Sequence, residues 1–264
     1  MTFGLRPDCE RSVLQQLTDM CRSAAARIPA GADSGLDERF HAEQNARVVR
    51  NAERYYRAMF GGRTDSWNVR DRHMAETLEL LAQHLAARRG RPARIVVWAH
   101  NSHIGDARAT DAAADGQLTL GQLVREAHSG TGDVFLLGFT THTGTVTAAD
   151  DWDKPARLKR VLPSRSDSIE RLLHETGIAR FFLPLRRGPD ELLAALGEAR
   201  LERAIGVVYR PDTERWSHYF EARVARQFDA LVHIDTSEAL TPLAEPGAPM
   251  AAEPADSETY PSGL

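Results

Sequence analysis

Residues 95–106 read IVVWAHNSHIGD, so a short apolar run stands directly before a cluster of polar side chains. The run Ile95–Ala99 is rich in β-branched residues, a pattern typical of a strand buried on both faces of a parallel sheet. His100, Asn101 and His103 follow it. Ligands bind at the carboxyl ends of strands in open α/β sheets, and histidines titrate near neutral pH. The stretch therefore predicts an α/β fold in which the two histidines either form a functional site or have a structural role, capping backbone carbonyls or filling a polar gap.

The composition is ordinary for a globular protein. The chain has 264 residues, 42% hydrophobic and 27% charged, which is enough to bury a core. Its net charge of -4 gives no electrostatic support for nucleic-acid binding. No apolar run approaches the roughly 20 residues of a membrane span. Cys9 and Cys21 lie on one predicted helix and cannot pair locally. We expect a cytoplasmic protein with no nucleic-acid or membrane partner.

The hydrophobic pattern changes near residue 92. Before it, helical spacing predicts three helices, at 9–28, 37–60 and 67–89. After it, strands alternate with helices, which indicates βαβ units. Strands are predicted at 94–99, 133–139, 179–183, 204–209 and 228–234, and helices at 117–128, 167–175 and 189–199.

These elements predict an α/β fold, with a mostly parallel sheet, flanking helices and an N-terminal helical region. We expect one domain over 1–243, divided into a helical part, 1–91, and an α/β part, 92–243. Residues 140–166 are predicted to be a long polar connection, of the kind that either forms a lid or binding loop or is disordered. The Pro-rich tail, 244–264, is predicted to be disordered.

A second charged pattern lies on the helix predicted at 67–89. Arg70 and His73 share one helix face, and Asp71 and Met74 share an adjacent one. In one interpretation this is a solvated charged face with Met74 in the core. In the other, Arg70 or Asp71 orients a histidine or binds a substrate.

Residues 204–211, AIGVVYRP, form a third pattern. They predict a buried strand ending in a turn that presents Tyr209 and Arg210. The alternative is a packed tyrosine beside an exposed arginine.

Several familiar catalytic motifs are missing from the sequence. It has no Gly-x-Ser-x-Gly elbow, Walker loop or dinucleotide fingerprint. Ser102 lies between the histidines, but alternate residues of an extended backbone point to opposite sides, so pairing with either is not expected. A metal held by His100 and His103, with help from Asp106 or His142, remains an alternative.

Five motifs occur in order: RDxxMAE at 70–76, VVWAHNxHI at 96–104, GVVYRP at 206–211, HYFE at 218–221 and FDA at 228–230. On these motifs the chain resembles the erythromycin esterase-like family, over roughly residues 5–243. The resemblance implies an α/β core with added helices. It also implies hydrolysis of an ester or lactone, such as a macrolide antibiotic, by histidine-activated water without a serine intermediate or a cofactor.

The resemblance implies roles for particular residues. His100 and His103 would orient the water or stabilise the oxyanion, and Tyr209 could contact the intermediate. Arg70 and Asp71 would support the histidines from the neighbouring helix. The supporting or substrate-binding set is Arg70, Asp71, Met74, Asn101, Tyr209 and Arg210.

One family motif has no match. The Gly-Glu-x-x-His segment that supplies the water-activating histidine is not found in residues 1–90, where His41 precedes Glu43 instead. Thr77 also stands where many relatives have Asn. The chain is therefore expected to correspond to the C-terminal half or two-thirds of a family member.

Three functions stay open at this point. The chain is an esterase of this type, an inactive domain that binds an ester or lactone, or a metal-dependent hydrolase using His100 and His103. A sheet lacking its first strands would leave an unpaired edge, so homodimerisation or poor solubility is expected.

Overall fold

The computed structural model describes residues 33–59, 63–130, 134–152 and 154–241. The chain divides into two units, the first ending at Val97 and the second beginning at Trp98. The helix predicted at 9–28 and the tail at 244–264 lie outside the described residues.

The first unit contains two long antiparallel helices, α1 (Asp33–Met59) and α2 (Arg63–Arg89). These confirm the predicted helices, each beginning four residues earlier than expected. Near one end of the pair, the Asp37 carboxylate lies 2.7 Å from Nε2 of His84 and 2.8 Å from a guanidinium nitrogen of Arg88. Further along, Asn51 Nδ2 donates to His73 Nδ1 at 2.8 Å. Polar contacts thus fix how the two helices align.

The second unit contains short helices and strands in alternation. Its helices are α3 (Asn101–Ile104), α4 (Leu120–Ala127), α5 (Ile169–His174), α6 (Asp190–Gly197), α7 (Glu214–Ser217) and α8 (Val224–Gln227). Its strands are β1 (Leu137–Thr140), β2 (Thr143–Ala148), β3 (Arg157–Val161), β4 (Arg180–Pro184), β5 (Arg200–Arg203), β6 (Tyr219–Ala222), β7 (Ala230–Ile234) and β8 (Thr236–Ser237).

The strands form mixed sheets. One has the order β1-β7-β4, with β1 parallel and β4 antiparallel to β7. A second has the order β3-β2-β8, and β5 pairs with β6 in antiparallel fashion. The α/β class is therefore confirmed, whereas the expectation of a mostly parallel sheet was wrong. Residues 140–166, predicted as a connection, contain an antiparallel hairpin, and β4 runs antiparallel to β7.

That hairpin replaces the long polar connection predicted at 140–166. β2 and β3 pair from Gly144 with Val161 to Ala148 with Arg157. Threonines favour strands because their branched side chains fit a pleated surface, and β2 reads TGTVTA. The polar composition of this segment concealed a two-stranded ribbon.

The apolar core of the second unit lies between helices and the β1-β7-β4 sheet. Ile169 of α5 and Val224 of α8 are fully buried, together with Phe228 and with Leu231 of β7. Ser168 caps α5, because its hydroxyl accepts from the Arg171 backbone N–H at 3.3 Å. The core thus forms where sequence periodicity placed the α5 and β7 apolar positions.

The strand predicted at 94–99 is not part of any sheet of the described residues. Val96 and Trp98 are 91% and 90% exposed. A short apolar run becomes a strand only when neighbouring strands take up its backbone hydrogen bonds, and the described residues supply none to it. The prediction of a buried strand at this position was therefore wrong for the described residues.

The strand predicted at 204–209 is also displaced. The regular strand, β5, ends at Arg203, and Val208 makes an isolated bridge with Ala149. The sequence of β5 is RLER, with one apolar residue among three charged ones. Its neighbour β6 nevertheless pairs with all four of its residues.

Candidate active site

The candidate site is built on α3, a single helical turn that follows the exposed segment 94–99. His100 is its N-cap residue, and its Nδ1 accepts from the Ser102 backbone N–H at 3.2 Å. Its carbonyl oxygen accepts from the His103 backbone N–H at 2.9 Å. The two histidines are therefore brought together by one capped turn.

The His100 ring has a defined tautomer. Nε2 lies 3.0 Å from the Ile205 carbonyl oxygen, which can only accept, so Nε2 carries the proton. Nδ1 is the acceptor that caps the turn. Although the residue is partly exposed, surrounding protein lowers the pKa of His100, and the charge of nearby His103 lowers it further. His100 is a neutral imidazole with both nitrogens engaged by the protein.

Ser102 contacts His100, contrary to expectation. Its hydroxyl lies 2.8 Å from His100 Nδ1 and donates to it. The expectation assumed an extended backbone, but residues 101–104 are helical, which turns the serine back over the imidazole. The other His100 nitrogen contacts a carbonyl oxygen rather than a carboxylate, so the carboxylate of a serine–histidine–acid triad is missing here.

Asn101 attaches the turn to β1. Its Nδ2 donates to the Phe139 carbonyl oxygen at 2.7 Å, and its Oδ1 accepts from the Phe139 backbone N–H at 3.1 Å. These backbone groups lie on the edge of β1 that β7 leaves open. The predicted supporting role of Asn101 is thus accompanied by a structural one.

Helix α4 packs closely against the other end of the turn. A Cβ added to Gly121 would lie 1.9 Å from the Ile104 carbonyl oxygen. A glycine is therefore required for this approach of backbone to backbone. Thr119, the α4 N-cap, also donates through its hydroxyl to the Gly105 carbonyl oxygen at 2.7 Å.

Asp106 follows the turn and forms salt bridges with two arginines. Its carboxylate lies 2.7 Å from Arg108 and 3.0 Å from Arg125. Burial would raise the pKa of Asp106, but the bonds from both arginines outweigh it and lower the pKa. Arg125 also contacts Asp229 of the FDA motif at 3.2 Å, so this motif fixes the segment behind the site.

Tyr209 lies in a buried polar network rather than at a surface. It is fully buried, and its hydroxyl donates to Glu214 Oε2 at 3.0 Å and accepts from the Leu162 N–H at 3.0 Å. Burial raises the pKa of Tyr209 to about 12. Glu214 in turn pairs with Arg203 at 2.8 Å, both side chains being 2% exposed. The structure matches the alternative of a packed tyrosine, and contact with an intermediate stays a prediction.

Arg210 is exposed beside it, as that alternative also states. It contacts the Asp150 carbonyl oxygen at 2.7 Å and the Asp151 carboxylate at 2.7 Å. Its backbone N–H donates to His218 Nε2 at 3.1 Å, so His218 carries its proton on Nδ1, which donates to Ala204. The HYFE motif therefore supports the GVVYRP turn.

The remaining predicted residues lie on α2 in the first unit. Asp71 is completely buried, Met74 is half-buried and Arg70 is exposed, with its guanidinium 5.9 Å from the centre of the Trp67 ring. Their predicted action on the histidines stays a prediction.

The family model for erythromycin esterase matches residues 2–237. The chain belongs to the erythromycin esterase family. This confirms the resemblance based on the motifs and covers every residue of the candidate site.

Solved structures similar to this family member show the same fold. A Bacillus cereus protein matches with a TM-score of 0.63 and 19% identity over 87% of this chain and 53% of its own. A succinoglycan biosynthesis protein matches with a TM-score of 0.64 and 18% identity over 89% and 52%. A histidine-to-asparagine variant of erythromycin esterase EreC, in an open conformation, matches with a TM-score of 0.54 and 15% identity over 89% and 54%. The esterase family chain spans about half the length of these proteins.

A second histidine cluster was not predicted from the sequence. The rings of His142 and His174 stack at 3.7 Å, and His174 Nδ1 lies 2.6 Å from Asp235 Oδ1. His142 Nδ1 lies 2.6 Å from the buried Ser164 hydroxyl, and burial and the His174 charge lower the pKa of His142 to about 4. These residues are far apart in sequence, so no local motif marks them.

The metal alternative gains no ligands from the part of the chain that the structure describes. Within it, no three His, Cys, Asp or Glu side chains are arranged to hold a metal ion. Of the two residues expected to help, Asp106 is paired with arginines, and His142 is stacked on His174.

The described helices give no membrane span. None of them is both long and apolar enough to cross a bilayer.

Proposed function

We propose that the chain is a hydrolase of the erythromycin esterase type, which cleaves an ester or lactone by attack of water and has no covalent serine intermediate. The observation that carries this proposal is the family match over residues 2–237, which includes the His100–His103 turn. The macrolide lactone is the first substrate to test, because erythromycin is the substrate named in the family and in one structural relative.

The geometry of the turn supports different roles for the two histidines. His100 uses one nitrogen to cap α3 and the other to bind Ile205, so it holds the turn in place. His103 lies on the same turn, three residues on, and belongs to the same AHNxH motif. We assign the contact with the water or the oxyanion to His103, with His100 positioning it. General acid–base assistance of this kind contributes about 10²–10⁴-fold to a rate.

The test is mass spectrometry of erythromycin and a panel of small lactones and esters after incubation with folded protein. His103→Gln and His100→Gln are compared with His41→Gln, a matched change at an exposed histidine of α1. We expect a lactone to give a product heavier by one water and an ester to give an acid and an alcohol, with a lower rate in both site variants and an unchanged rate in the control. Equal rates in all four proteins would refute the assignment.

A ligand-binding domain without turnover is the second candidate. The engagement of both His100 ring nitrogens by the protein favours it, because that histidine then has a structural role. Calorimetric titration of the same panel distinguishes the two, since binding with no product supports this candidate and excludes the first.

A further inference from the structure

A buried carboxyl group lies directly behind the site. Glu202 of β5 is 1% exposed, and its Oε1 lies 3.4 Å from Asn101 Nδ2. The side chain of Gln227 on α8 also acts on this carboxyl and opposes the rise of its pKa. Gln227 itself packs beneath α3, because a Cβ added at Gly105 would lie 2.8 Å from its Nε2. Glu202 therefore joins the two side chains that support the histidine turn.

A second buried carboxyl group faces it. Glu170 of α5 is also 1% exposed, and its Oε1 accepts from the Arg203 N–H at 2.9 Å. The Oε2 atoms of Glu170 and Glu202 are both buried without a hydrogen-bond partner among the described residues. Two such carboxylates cannot both be ionised at low cost, so the pair retains a proton.

We propose that Glu202 is a positioning residue of the hydrolase, which holds the His100–His103 turn through Asn101 while in its neutral form. The expected effect of Glu202 on kcat rests on the proposed function. Its expected effect on the position of the histidine turn does not. Glu202 touches neither histidine in this account, so its effect passes through the turn.

The charge state of Glu202 decides whether the Asn101 amide bonds mainly to Phe139 or to Glu202. Asn101 Nδ2 donates at 2.7 Å to Phe139 and at 3.4 Å to Glu202, so the bond to β1 dominates. An ionised Glu202 would accept more strongly and draw the amide away from Phe139. The facing ionisable group is Glu170, whereas Asn101 and Gln227 are neutral partners. Burial first, and then Glu170, raise the pKa of Glu202 to about 8, which keeps it neutral at pH 7.

The test compares Glu202→Gln, which keeps a neutral hydrogen-bonding group, with Glu202→Leu, which removes it. Glu221→Gln on the paired strand β6 is the control, because Glu221 is exposed and lies opposite Leu201. We expect Glu202→Gln to keep kcat near that of the wild type. Glu202→Leu should lower kcat by about ten- to a hundredfold at unchanged KM, because the turn is displaced rather than the substrate lost. A folded Glu202→Leu protein with wild-type kcat would overturn the proposal.

If Glu202→Leu fails to fold, the pH profile of Glu202→Gln decides. Wild-type kcat should fall as the pH rises through about 8, and that fall should be missing in Glu202→Gln. Identical profiles would overturn the proposal.

A readout independent of turnover separates this proposal from the proposed function. The imidazole NMR resonances of His100 and His103 should shift on alkaline titration of the wild type and stay in place in Glu202→Gln. Such shifts in a protein that hydrolyses nothing would support the positioning role and contradict the hydrolase. Unchanged resonances in the wild type would contradict the positioning role itself.

Discussion

The side-chain amide of Asn101 makes both backbone hydrogen bonds to Phe139 that a neighbouring strand would otherwise make, at 2.7 and 3.1 Å. One residue of the AHNxH motif thus closes an open edge of β1 and holds the histidine turn to the sheet. The motif joins structural support and candidate chemistry in adjacent residues.

Asn101→Ala should therefore destabilise the protein. Both hydrogen bonds to Phe139 are lost, together with the longer one to Glu202, and the expected fall in the free energy of unfolding is about 1–3 kcal/mol, measured by urea denaturation. Asn101→Asp retains the acceptor for the Phe139 N–H. Its free energy of unfolding should lie between those of the wild type and Asn101→Ala. An Ala variant as stable as the wild type would show that the edge needs no such partner.

Gly121→Ala should disturb the site from outside it. The new methyl group would meet the Ile104 backbone at 1.9 Å, so α3 or α4 must move, at a cost of about 1–3 kcal/mol. Thermal unfolding measures it, with Gly197→Ala as the control because nothing lies within 4 Å of a Cβ there. Equal melting temperatures for the two variants would contradict the close packing.

Tyr209→Phe separates a structural from a catalytic tyrosine. Loss of the hydroxyl leaves Glu214 Oε2 and the Leu162 N–H without it, so we expect destabilisation of about 1–3 kcal/mol. With Tyr209 fully buried, kcat/KM of the folded variant should be near that of the wild type. A large loss of kcat with unchanged stability would instead support contact with the intermediate.

Glu202 should make stability fall with rising pH. The ordinary carboxyl pKa is 4.5 and the folded value is about 8, so the group costs nothing below 4.5. Between these values the unfolded chain ionises while the folded one stays protonated, which costs up to about 1.4 kcal/mol per pH unit. Urea unfolding across this range should show a shallower decline in Glu202→Gln. A parallel decline in both proteins would mean that Glu202 is ionised when folded.

The sequence predicted the elements with strong local signals. α1 and α2 have long helical periodicity, and β4 and β7 are apolar, so each was found within a few residues. Pairing direction depends on which strands meet, which no local pattern contains. The hairpin of β2 and β3 and the antiparallel pairing of β4 were therefore missed.

The part of the site that was predicted also depends on a local sequence signal. His100, Asn101 and His103 are adjacent in sequence, and one turn brings them together. Glu202 was missed because RLER looks like an exposed strand, and its burial depends on Glu170 and Asn101, far away in the chain. Homodimerisation through an unpaired edge stays a prediction, and Asn101 already occupies the edge of β1 at Phe139.

Hydrolysis by direct attack of water is tested by incubating the folded protein with erythromycin and the ester panel in ¹⁸O-labelled water. Mass spectrometry then measures the product and the intact protein. We predict an acid product that carries one labelled oxygen, no acylated protein, and loss of product in His103→Gln. An acylated protein that disappears in Ser102→Ala, or no product from any member of the panel, would contradict it.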